Sequence, residues 1–444
     1  MPRSVRYAWN GDVSLAYEVA GERDADLVLL AGAPTNIDIQ HEHERYSAFL
    51  DRLSRRRRLI VTDRRGTGLS DRFSPTEIPP VEMLTDDLAC VMDAVRSDQT
   101  VVMAQGETAM VAMLFAAAHP SRCAGLILLD PIATWLRSPE TPWMPTAAEW
   151  DGIIADTRAR WGTVPSGTIA FRDDAEREWY LRLIRATVPP GGLAAEMSRW
   201  IKTDVRDILP AIHVPVLILA DSEGTGYADP RSGRLIASRL PSSRLEMYRS
   251  DGSWFGLDAD QVADEIDAFF DQLGVFDPML DRVLATVLFT DIVGSTERAV
   301  VLGDRRWGEL LERHHATIRR VLRRWRGEEL DVAGDGFFAR FDGPARAIRC
   351  ALDITREVRD LGIEIRAGLH TGECELIDGK VGGLAVHIGA RVAGMAGPGE
   401  VLVSRTVRDL VAGSGIQFND RGTTTLKGIP GQWGLYAADF PAPV

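Results

Sequence analysis

The sequence has no run of about 18 or more apolar residues, the length that a membrane-spanning helix needs, so we expect no such helix. Its first residues also lack the unbroken apolar stretch of a secretory signal. Only four cysteines occur, far apart and with no CxxC pair or Cys/His cluster. Cysteines used in this way are typical of reduced core thiols, which predicts a cytoplasmic protein without disulfides or structural zinc.

Positive charge is in deficit. The chain has 51 Lys and Arg against 64 Asp and Glu, a formal net charge of -13, which argues against a general nucleic-acid binder. Internal repeats and low-complexity segments are absent as well. At 444 residues the chain is long for one hydrophobic core and comfortable for two domains.

The first part of the chain alternates short apolar runs with helix-length amphipathic segments. This rhythm predicts a parallel β-sheet with helices on both faces. Asn10-Gly11, between two short extended segments, predicts a β-hairpin that precedes the parallel sheet in the chain. The apolar runs are Asp26–Ala31, Arg58–Thr62, Thr100–Ala104, Ala124–Leu129 and Val214–Ala220.

The rest of the chain sets the predicted domain limits. A tryptophan-rich stretch at about 133–203 is interpreted as helices inserted above the sheet, and a last helix is predicted over Ala259–Leu273. We therefore predict a first domain over 1–273, a linker over 274–282 and a second domain over 283–438. The basic run Arg55–Arg58 is interpreted as a solvated helix end.

An acidic residue follows the first apolar strand of the second domain. Val287–Phe289 leads into Asp291, and Gly294-Ser295-Thr296 then opens a long helix pattern. The Asp291 carboxylate can ligate Mg²⁺. The free N–H groups of the turn and the helix dipole can hold phosphate oxygens.

Two further motifs follow along the chain. Gly334-Asp335-Gly336 lies between two strand-like segments, and a hairpin there would present Asp335 close to the end of the first strand. Two carboxylates on adjacent strands can bridge two metal ions for in-line displacement at phosphorus. His387 and Arg391 are four residues apart, which places them on one face of a predicted helix. Each motif is common when it occurs alone.

Their order and spacing together resemble the class III adenylate/guanylate cyclase family over Val283–Tyr436. The matching blocks are LFTDIVGST, GDGFFARFDGPARAI, IRAGLHTGE, LAVHIGARV and GEVLVSRTVRDLV. The resemblance implies a ferredoxin-like α+β domain, active only as a homodimer. Such a domain converts ATP or GTP into the 3′,5′-cyclic monophosphate and pyrophosphate with two Mg²⁺ or Mn²⁺ ions.

The resemblance also implies roles for individual residues. Asp291 and Asp335 would be the ligands of the two metals, and Arg391 would neutralise charge on the pentavalent α-phosphate. Lys427 would contact the β- and γ-phosphates. The backbone that would cradle the triphosphate comprises Ile292, Val293, Gly294, Ser295 and Thr296.

The positions that read the base depart from the family pattern. The family lysine that reads adenine falls on Asp331 and its aspartate partner on Lys380, so the two charges are exchanged. Either this pair meets across the dimer and still reads a purine edge, or both residues lie on the surface of a site with relaxed selectivity. His387 replaces an asparagine. Its ring N–H can donate to the ribose or the α-phosphate, or the ring packs at the dimer seam.

The N-terminal part resembles the α/β-hydrolase family from about Val5 to Leu273, through DRRGTGLSD and LFAAAHPSRCAGLILLDP, and the tryptophan-rich stretch matches a cap. The position of the catalytic nucleophile falls on Gly106, and no histidine occurs between His213 and His314. Triad hydrolysis needs a nucleophile and a base. We therefore predict a pseudo-hydrolase. Either its pocket binds a small apolar ligand and tunes the cyclase, or the domain only supports dimerisation or solubility.

Three functions are weighed. The leading one is a homodimeric, metal-dependent nucleotide cyclase with an appended pseudo-hydrolase sensor. The first alternative is a catalytically weak, cyclase-like module that binds nucleotide and signals to a partner, although pure binding has less need of Arg391. The second is an α/β-hydrolase acting on a small ester, against which Gly106 argues.

Overall fold

The computed structural model describes residues 4–22, 25–163, 170–224, 229–253, 255–273, 282–377 and 380–439. The chain divides into two compact units, Met1–Leu280 and Asp281–Val444. All but one residue of the predicted linker 274–282 lies outside the described part, Arg282 being the exception.

The first unit is built on an eight-stranded sheet with the order β1-β2-β4-β3-β5-β6-β7-β8. Neighbouring strands pair in parallel along β4, β3, β5, β6, β7 and β8. β1 and β2 form the antiparallel hairpin predicted at Asn10-Gly11, and β2 pairs antiparallel with β4. The strands are β1 (Arg6–Asn10), β2 (Val13–Ala20), β3 (Asp26–Leu30), β4 (Arg58–Thr62), β5 (Thr100–Gln105), β6 (Cys123–Leu129), β7 (Val216–Asp221) and β8 (Ser243–Tyr248).

Helices flank this sheet. Apolar side chains of β3, β5, β6 and β7 are buried against helices that include α2 and α9, because these strands are apolar along most of their length. The tryptophan-rich stretch supplies α5, α6 and α7. The helices are α1 (Ile37–Gln40), α2 (Glu44–Arg56), α3 (Val81–Ala94), α4 (Ala109–Ala118), α5 (Ala147–Arg160), α6 (Asp174–Thr187), α7 (Pro190–Lys202), α8 (Pro230–Arg239) and α9 (Ala259–Leu273).

The second unit has a largely antiparallel sheet with the order β10-β11-β9-β12-β14-β16-β15, and β13 pairs with β12. Its strands are β9 (Arg282–Ile292), β10 (Glu328–Ala333), β11 (Gly336–Phe341), β12 (Ile365–Ile377), β13 (Lys380–Gly382), β14 (Val401–Ser404), β15 (Gln417–Thr424) and β16 (Trp433–Asp439). Its helices are α10 (Ser295–Arg324), α11 (Pro344–Glu357), α12 (Leu384–Met395) and α13 (Arg405–Leu410). The predicted α/β class of the first unit and α+β class of the second are confirmed.

Helices cover the two faces of the second sheet differently. Buried residues of α10 and α11 pack with Leu288 and Ile292 of β9 on one face. On the other face α12 lies close to β9 and β12. A Cβ atom at Gly368 would lie 2.1 Å from the backbone nitrogen of Ala393, so only glycine permits this approach.

The described residues bear on two expectations about the surface. None of the helices among them is both long and apolar enough to span a membrane. The interpretation of Arg55–Arg58 as a solvated helix end is wrong for Arg57, whose side chain is 2% exposed. Arg57 pairs with Asp267 and lies 4.4 Å from the ring centroid of Phe270, and burial lowers its pKa.

Candidate active site

Asp291 and Asp335 lie at the same end of β9. This strand runs between β11 and β12, and Asp291 is its second-last residue. Asp335 occupies the two-residue turn between β10 and β11, and its Oδ2 accepts a hydrogen bond from the backbone N–H of Ile292 at 3.2 Å. The antiparallel pairing of β9 with β11 thus brings together two acids that are far apart in the sequence.

A third side chain, Arg366 of β12, joins this pair. The register of β9 and β12 places Arg366 directly opposite Asp291. Its Nε and Nη2 donate to Asp291 Oδ2 at 3.0 and 2.5 Å, and both side chains are 38% exposed. Sequence reasoning missed this residue, since its only signal was a place inside the block IRAGLHTGE.

The two carboxylates suit hard divalent cations. Each has its Oδ2 engaged within the domain, while no described group donates to either Oδ1. Carboxylate oxygen is the donor that Mg²⁺ and Mn²⁺ prefer. The described residues contain no cluster of three or more His, Cys, Asp or Glu side chains placed to hold a metal, so further ligands would come from backbone, water or substrate phosphates, as is usual for Mg²⁺.

The turn after Asp291 offers backbone donors, but fewer than the sequence predicted. The N–H of Ile292 is used by Asp335, and the N–H of Val293 donates to the carbonyl of Glu364 at 2.9 Å. Gly294 adopts a φ of 67° and caps α10, and among the described groups no acceptor takes the N–H of Gly294, Ser295 or Thr296. The free donors therefore lie at the N-terminus of α10, where the helix dipole favours an anion.

His387 and Arg391 share one exposed face of α12, as their spacing predicts. The opposite face, with Ala385, Gly389 and Ala393, lies against β9 and β12. Arg391 pairs with no carboxylate in the described part of the chain. Both side chains thus point away from the sheet that carries Asp291 and Asp335.

Lys427 lies beside the same helix. The preceding residue, Leu426, is buried in a cluster with Ile388 and Val392 of α12, whereas Lys427 itself is exposed. Gly428 follows with a φ of 80°, a conformation that favours glycine. The loop after β15 therefore presents one cation next to the helix that presents another.

Asp331 lies on the same sheet face as Asp291. It pairs with Phe338 of β11, which pairs with Phe289 of β9, and the two rings stack 4.5 Å apart. Asp331 is exposed at the open edge of the sheet. The side chain of Lys380 lies outside the described part of the chain, although its backbone belongs to β13, so the proposed pairing of these two residues stays a prediction.

His314 of α10 is a buried histidine behind the Asp335 turn. Its side chain stacks on Phe337 with ring centroids 6.0 Å apart, and neither ring nitrogen has a hydrogen-bond partner. Burial lowers the pKa of His314 to about 4. The folded protein therefore resists protonation of this ring, while the unfolded chain takes up a proton near the usual value.

Replacing His314 with leucine should remove part of the acid sensitivity of the protein. In the wild type the contribution of His314 to the free energy of unfolding is complete above the pKa of the unfolded state. It is lost as the pH falls from about 6.5 towards 4. We expect the free energy of unfolding to fall by about 2 kcal/mol between pH 7 and pH 5 because of this residue. Urea unfolding of both chains at the two pH values checks this, and equal losses in both would contradict it.

The first unit keeps the shape of a hydrolase elbow without its nucleophile. Gly106 lies between β5 and α4 with a φ of 58°, and a Cβ there would meet nothing within 4 Å. A strained strand-to-helix turn of this kind carries the nucleophile in α/β-hydrolases. Asp221 ends β7 with one carboxylate oxygen bonded to backbone N–H groups and the other without a partner.

A carboxylate fills the space beside the elbow. Glu107 Oε1 accepts from the backbone N–H of Ala33 at 2.8 Å and from Arg64 at 3.1 Å. Arg64 also pairs with Glu196 of α7, which pairs with Arg199 at 3.0 Å. Burial raises the pKa of Glu107. This charged ladder, rather than an apolar lining, links the elbow to the tryptophan-rich helices.

Family models match both parts of the chain. Residues 27–260, more than half of the chain, match the model described as alpha/beta hydrolase fold. Residues 280–438 match the model described as adenylate and guanylate cyclase catalytic domain.

Individual relatives match shorter regions. An uncharacterized protein of Mycobacterium tuberculosis is 37% identical over 22% of this chain and 35% of its own length. A putative adenylate cyclase 3 of Rhizobium meliloti is 27% identical over 33% of this chain and 27% of its own length. The chain therefore spans about a third or less of these two relatives. A hydrolase from Oleispira antarctica, 17% identical over 57% of this chain and 94% of its own, has a TM-score of 0.50, a likeness of fold alone.

Proposed function

Because the chain belongs to the alpha/beta hydrolase fold family through residues 27–260 and carries a class III nucleotidyl cyclase domain at residues 280–438, we propose that it is a nucleotide cyclase. It converts ATP or GTP into the 3′,5′-cyclic monophosphate and pyrophosphate. It works as a homodimer with two Mg²⁺ or Mn²⁺ ions in each site, and the N-terminal unit regulates it.

One observation supports the proposal most. Asp335 accepts a hydrogen bond from the backbone next to Asp291, so two carboxylates share one end of the central strand. The N-terminus of α10, at Ser295, lies four residues after Asp291, the second-last residue of that strand. A pair of acids beside free backbone donors suits a metal-bound triphosphate better than it suits a neutral ligand.

The chain's own residues have separate tasks in the proposed reaction. When bound, the divalent ions supply Lewis acidity at the 3′-hydroxyl and compensate phosphate charge. Asp291 and Asp335 hold them. The N–H groups of Gly294, Ser295 and Thr296 orient the triphosphate, and Arg366 adds a positive charge beside the acids. Holding the hydroxyl in line with the α-phosphorus supplies much of the rate.

The remaining residues come from a second subunit. Since His387 and Arg391 face away from their own sheet, they serve the acids of another copy of the chain in this proposal. Arg391 of the second subunit compensates charge on the α-phosphate as pyrophosphate leaves. His387 donates to the ribose or the α-phosphate, and Lys427, beside the same helix, contacts the outer phosphates.

An assay of the purified full-length chain with ATP or GTP and Mn²⁺ tests this function. We expect cyclic nucleotide and pyrophosphate in equal amounts. Nucleotide binding without product would favour the alternative of a signalling module. Hydrolysis of a small ester that persists when the cyclase is inactivated would favour the hydrolase alternative, against which Gly106 argues.

Base selectivity is proposed to depend on the exchanged pair, Asp331 and Lys380. Restoring the family order with Asp331→Lys together with Lys380→Asp should raise the ratio of ATP to GTP turnover about tenfold, the value of one charge-assisted hydrogen bond. Competition assays with both triphosphates measure the ratio. Reversing the exposed charge of Glu312 on α10 is the matched control and should leave it unchanged. An unaltered ratio in the double variant would exclude the pair as the base reader.

The N-terminal unit is proposed to be a regulatory module without triad chemistry. Its elbow lacks a nucleophile, and the acid Asp221 has no histidine to orient. The ladder of Glu107, Arg64, Glu196 and Arg199 favours a ligand with polar groups over the small apolar ligand, which was one of two alternatives that the sequence left open. A ligand would regulate the cyclase only by binding two arrangements of the protein unequally.

A further inference from the structure

We infer that His315 of α10 is a positioning residue for the carboxylate of Asp335, an inference that rests on the proposed function. The Nε2 atom of His315 lies 3.1 Å from the carbonyl oxygen of Gly334. Because a carbonyl oxygen only accepts hydrogen bonds, the Nε2–H group is the donor. The contact joins α10 to the tip of the hairpin that carries Asp335.

The hairpin tip needs such a support. Gly334 and Asp335 form a two-residue turn, and Gly334 has a φ of 63° and is exposed. Glycine is the residue with the greatest conformational freedom, so this tip is intrinsically loose. The Gly334 carbonyl belongs to the planar peptide unit that ends at the Cα atom of Asp335. A donor on that carbonyl therefore fixes the plane from which the Asp335 side chain departs.

A second contact ties the base of the same hairpin to α10. Arg319, one turn after His315, donates from Nε and Nη2 to both carboxylate oxygens of Glu329 on β10 at 2.8 Å. On the other side of the tip, Ile292 donates to Asp335 itself. The hairpin is thus held at its tip and its base by the helix that begins at the proposed phosphate turn.

The expected consequence concerns the metal affinity. A hydrogen-bonding partner behind a metal ligand typically changes metal affinity by about 10- to 100-fold. His315 touches neither the carboxylate nor the proposed substrate, so its loss should loosen the ligand without removing it. At saturating metal the turnover number should stay close to that of the wild type.

Mn²⁺ binding to the full chain, followed by electron paramagnetic resonance, tests the inference. Titrations are made with 3′-deoxy-ATP and with 3′-deoxy-GTP, which lack the attacking hydroxyl. In the wild type the ring centroids of His315 and Phe337 are 5.1 Å apart. His315→Phe keeps a ring against Phe337 but has no hydrogen-bond donor. We expect its Mn²⁺ dissociation constant to rise about tenfold. His315→Gln keeps an N–H donor and should bind nearly as the wild type does.

The matched control is His314→Leu. His314 is the neighbouring residue and also packs on Phe337, but it has no hydrogen bond to the turn. We expect normal Mn²⁺ affinity from this variant. Circular dichroism checks each fold, and His315→Ala replaces His315→Phe if the larger ring prevents folding. Unchanged affinity in the donor-less variant, or equal weakening in His314→Leu, would overturn the inference.

Failure of this inference differs from failure of the proposed function. If the wild type makes cyclic nucleotide and Asp335→Ala does not, a normal Mn²⁺ affinity in His315→Phe rejects only the role of His315. If the wild type makes no cyclic nucleotide and Asp335→Ala binds Mn²⁺ as tightly as the wild type does, the metal site itself is rejected, and the role of His315 with it.

Discussion

Replacing Asp291 with alanine should lower cyclic-nucleotide formation by about a thousandfold or more, which corresponds to about 4 kcal/mol of transition-state stabilisation. The variant lacks one of the two carboxylates that lie at the end of β9. Its loss also leaves Arg366 without the carboxylate that it contacts at 2.5 Å. Product formation from ATP and from GTP at saturating Mn²⁺ measures the effect.

Two companion variants separate this effect from damage to the fold. Asp291→Asn keeps the size of the side chain and an oxygen that can accept from Arg366, but not the charge, and it should be equally inactive. Glu312→Ala removes an exposed carboxylate of α10 outside the site and should keep wild-type turnover. Appreciable cyclic product from both Asp291 variants would contradict the assignment of the metal ligand.

The fold was largely predictable because its signals are local. The apolar runs at Arg58–Thr62 and Thr100–Ala104 lie on β4 and β5 with at most one residue of difference at their ends. Asn10-Gly11 lies in a tight turn between two paired strands, as hairpin chemistry requires. The helix pattern over Ala259–Leu273 has the same limits as α9. Such features depend on a few neighbouring residues, which a sequence displays directly.

Contacts set by strand register were not predictable in the same way. The pairing of Arg366 with Asp291 follows from the alignment of β9 with β12, and a shift of one residue would place the arginine on the other face. The sequence gives His315 no functional signal, since nothing near it indicates that Gly334, 19 residues away, lies within hydrogen-bond distance. These residues surround the acids that the sequence did single out.

The burial of charged side chains was a second feature that the sequence could not predict. The run Arg55–Arg58 has the composition of a solvated helix end, and Arg57 is nevertheless buried because Asp267 of α9 lies within reach. The ladder from Glu107 to Arg199 likewise joins segments that are distant in the chain. A buried charge requires a partner, and a tertiary partner is invisible to local patterns.

Mixing two inactive variants, Asp291→Ala and Arg391→Ala, should restore activity. His387 and Arg391 lie on the face of α12 that is turned away from β9 and β12, so each proposed site needs acids from one subunit and the arginine from the other. In a mixed dimer one site then carries both defects and the other carries none. Random assortment of symmetric dimers makes about half of them mixed, so the mixture should reach about a quarter of wild-type activity.

The matched control combines two variants with defects in the same half of the site. Asp291→Ala and Asp335→Ala both remove a carboxylate from the sheet, so every site of their mixed dimer lacks one acid and no activity should return. Chains with two different affinity tags are coexpressed and purified over both tags, which isolates the mixed dimers and raises the expected activity to about half of the wild type. If the acids and Arg391 served the same site from one chain, every site in the Asp291→Ala and Arg391→Ala dimer would be defective. Purified mixed dimers without turnover would therefore reject the two-subunit site, since only an exchange of residues between subunits lets two broken chains rebuild one intact centre.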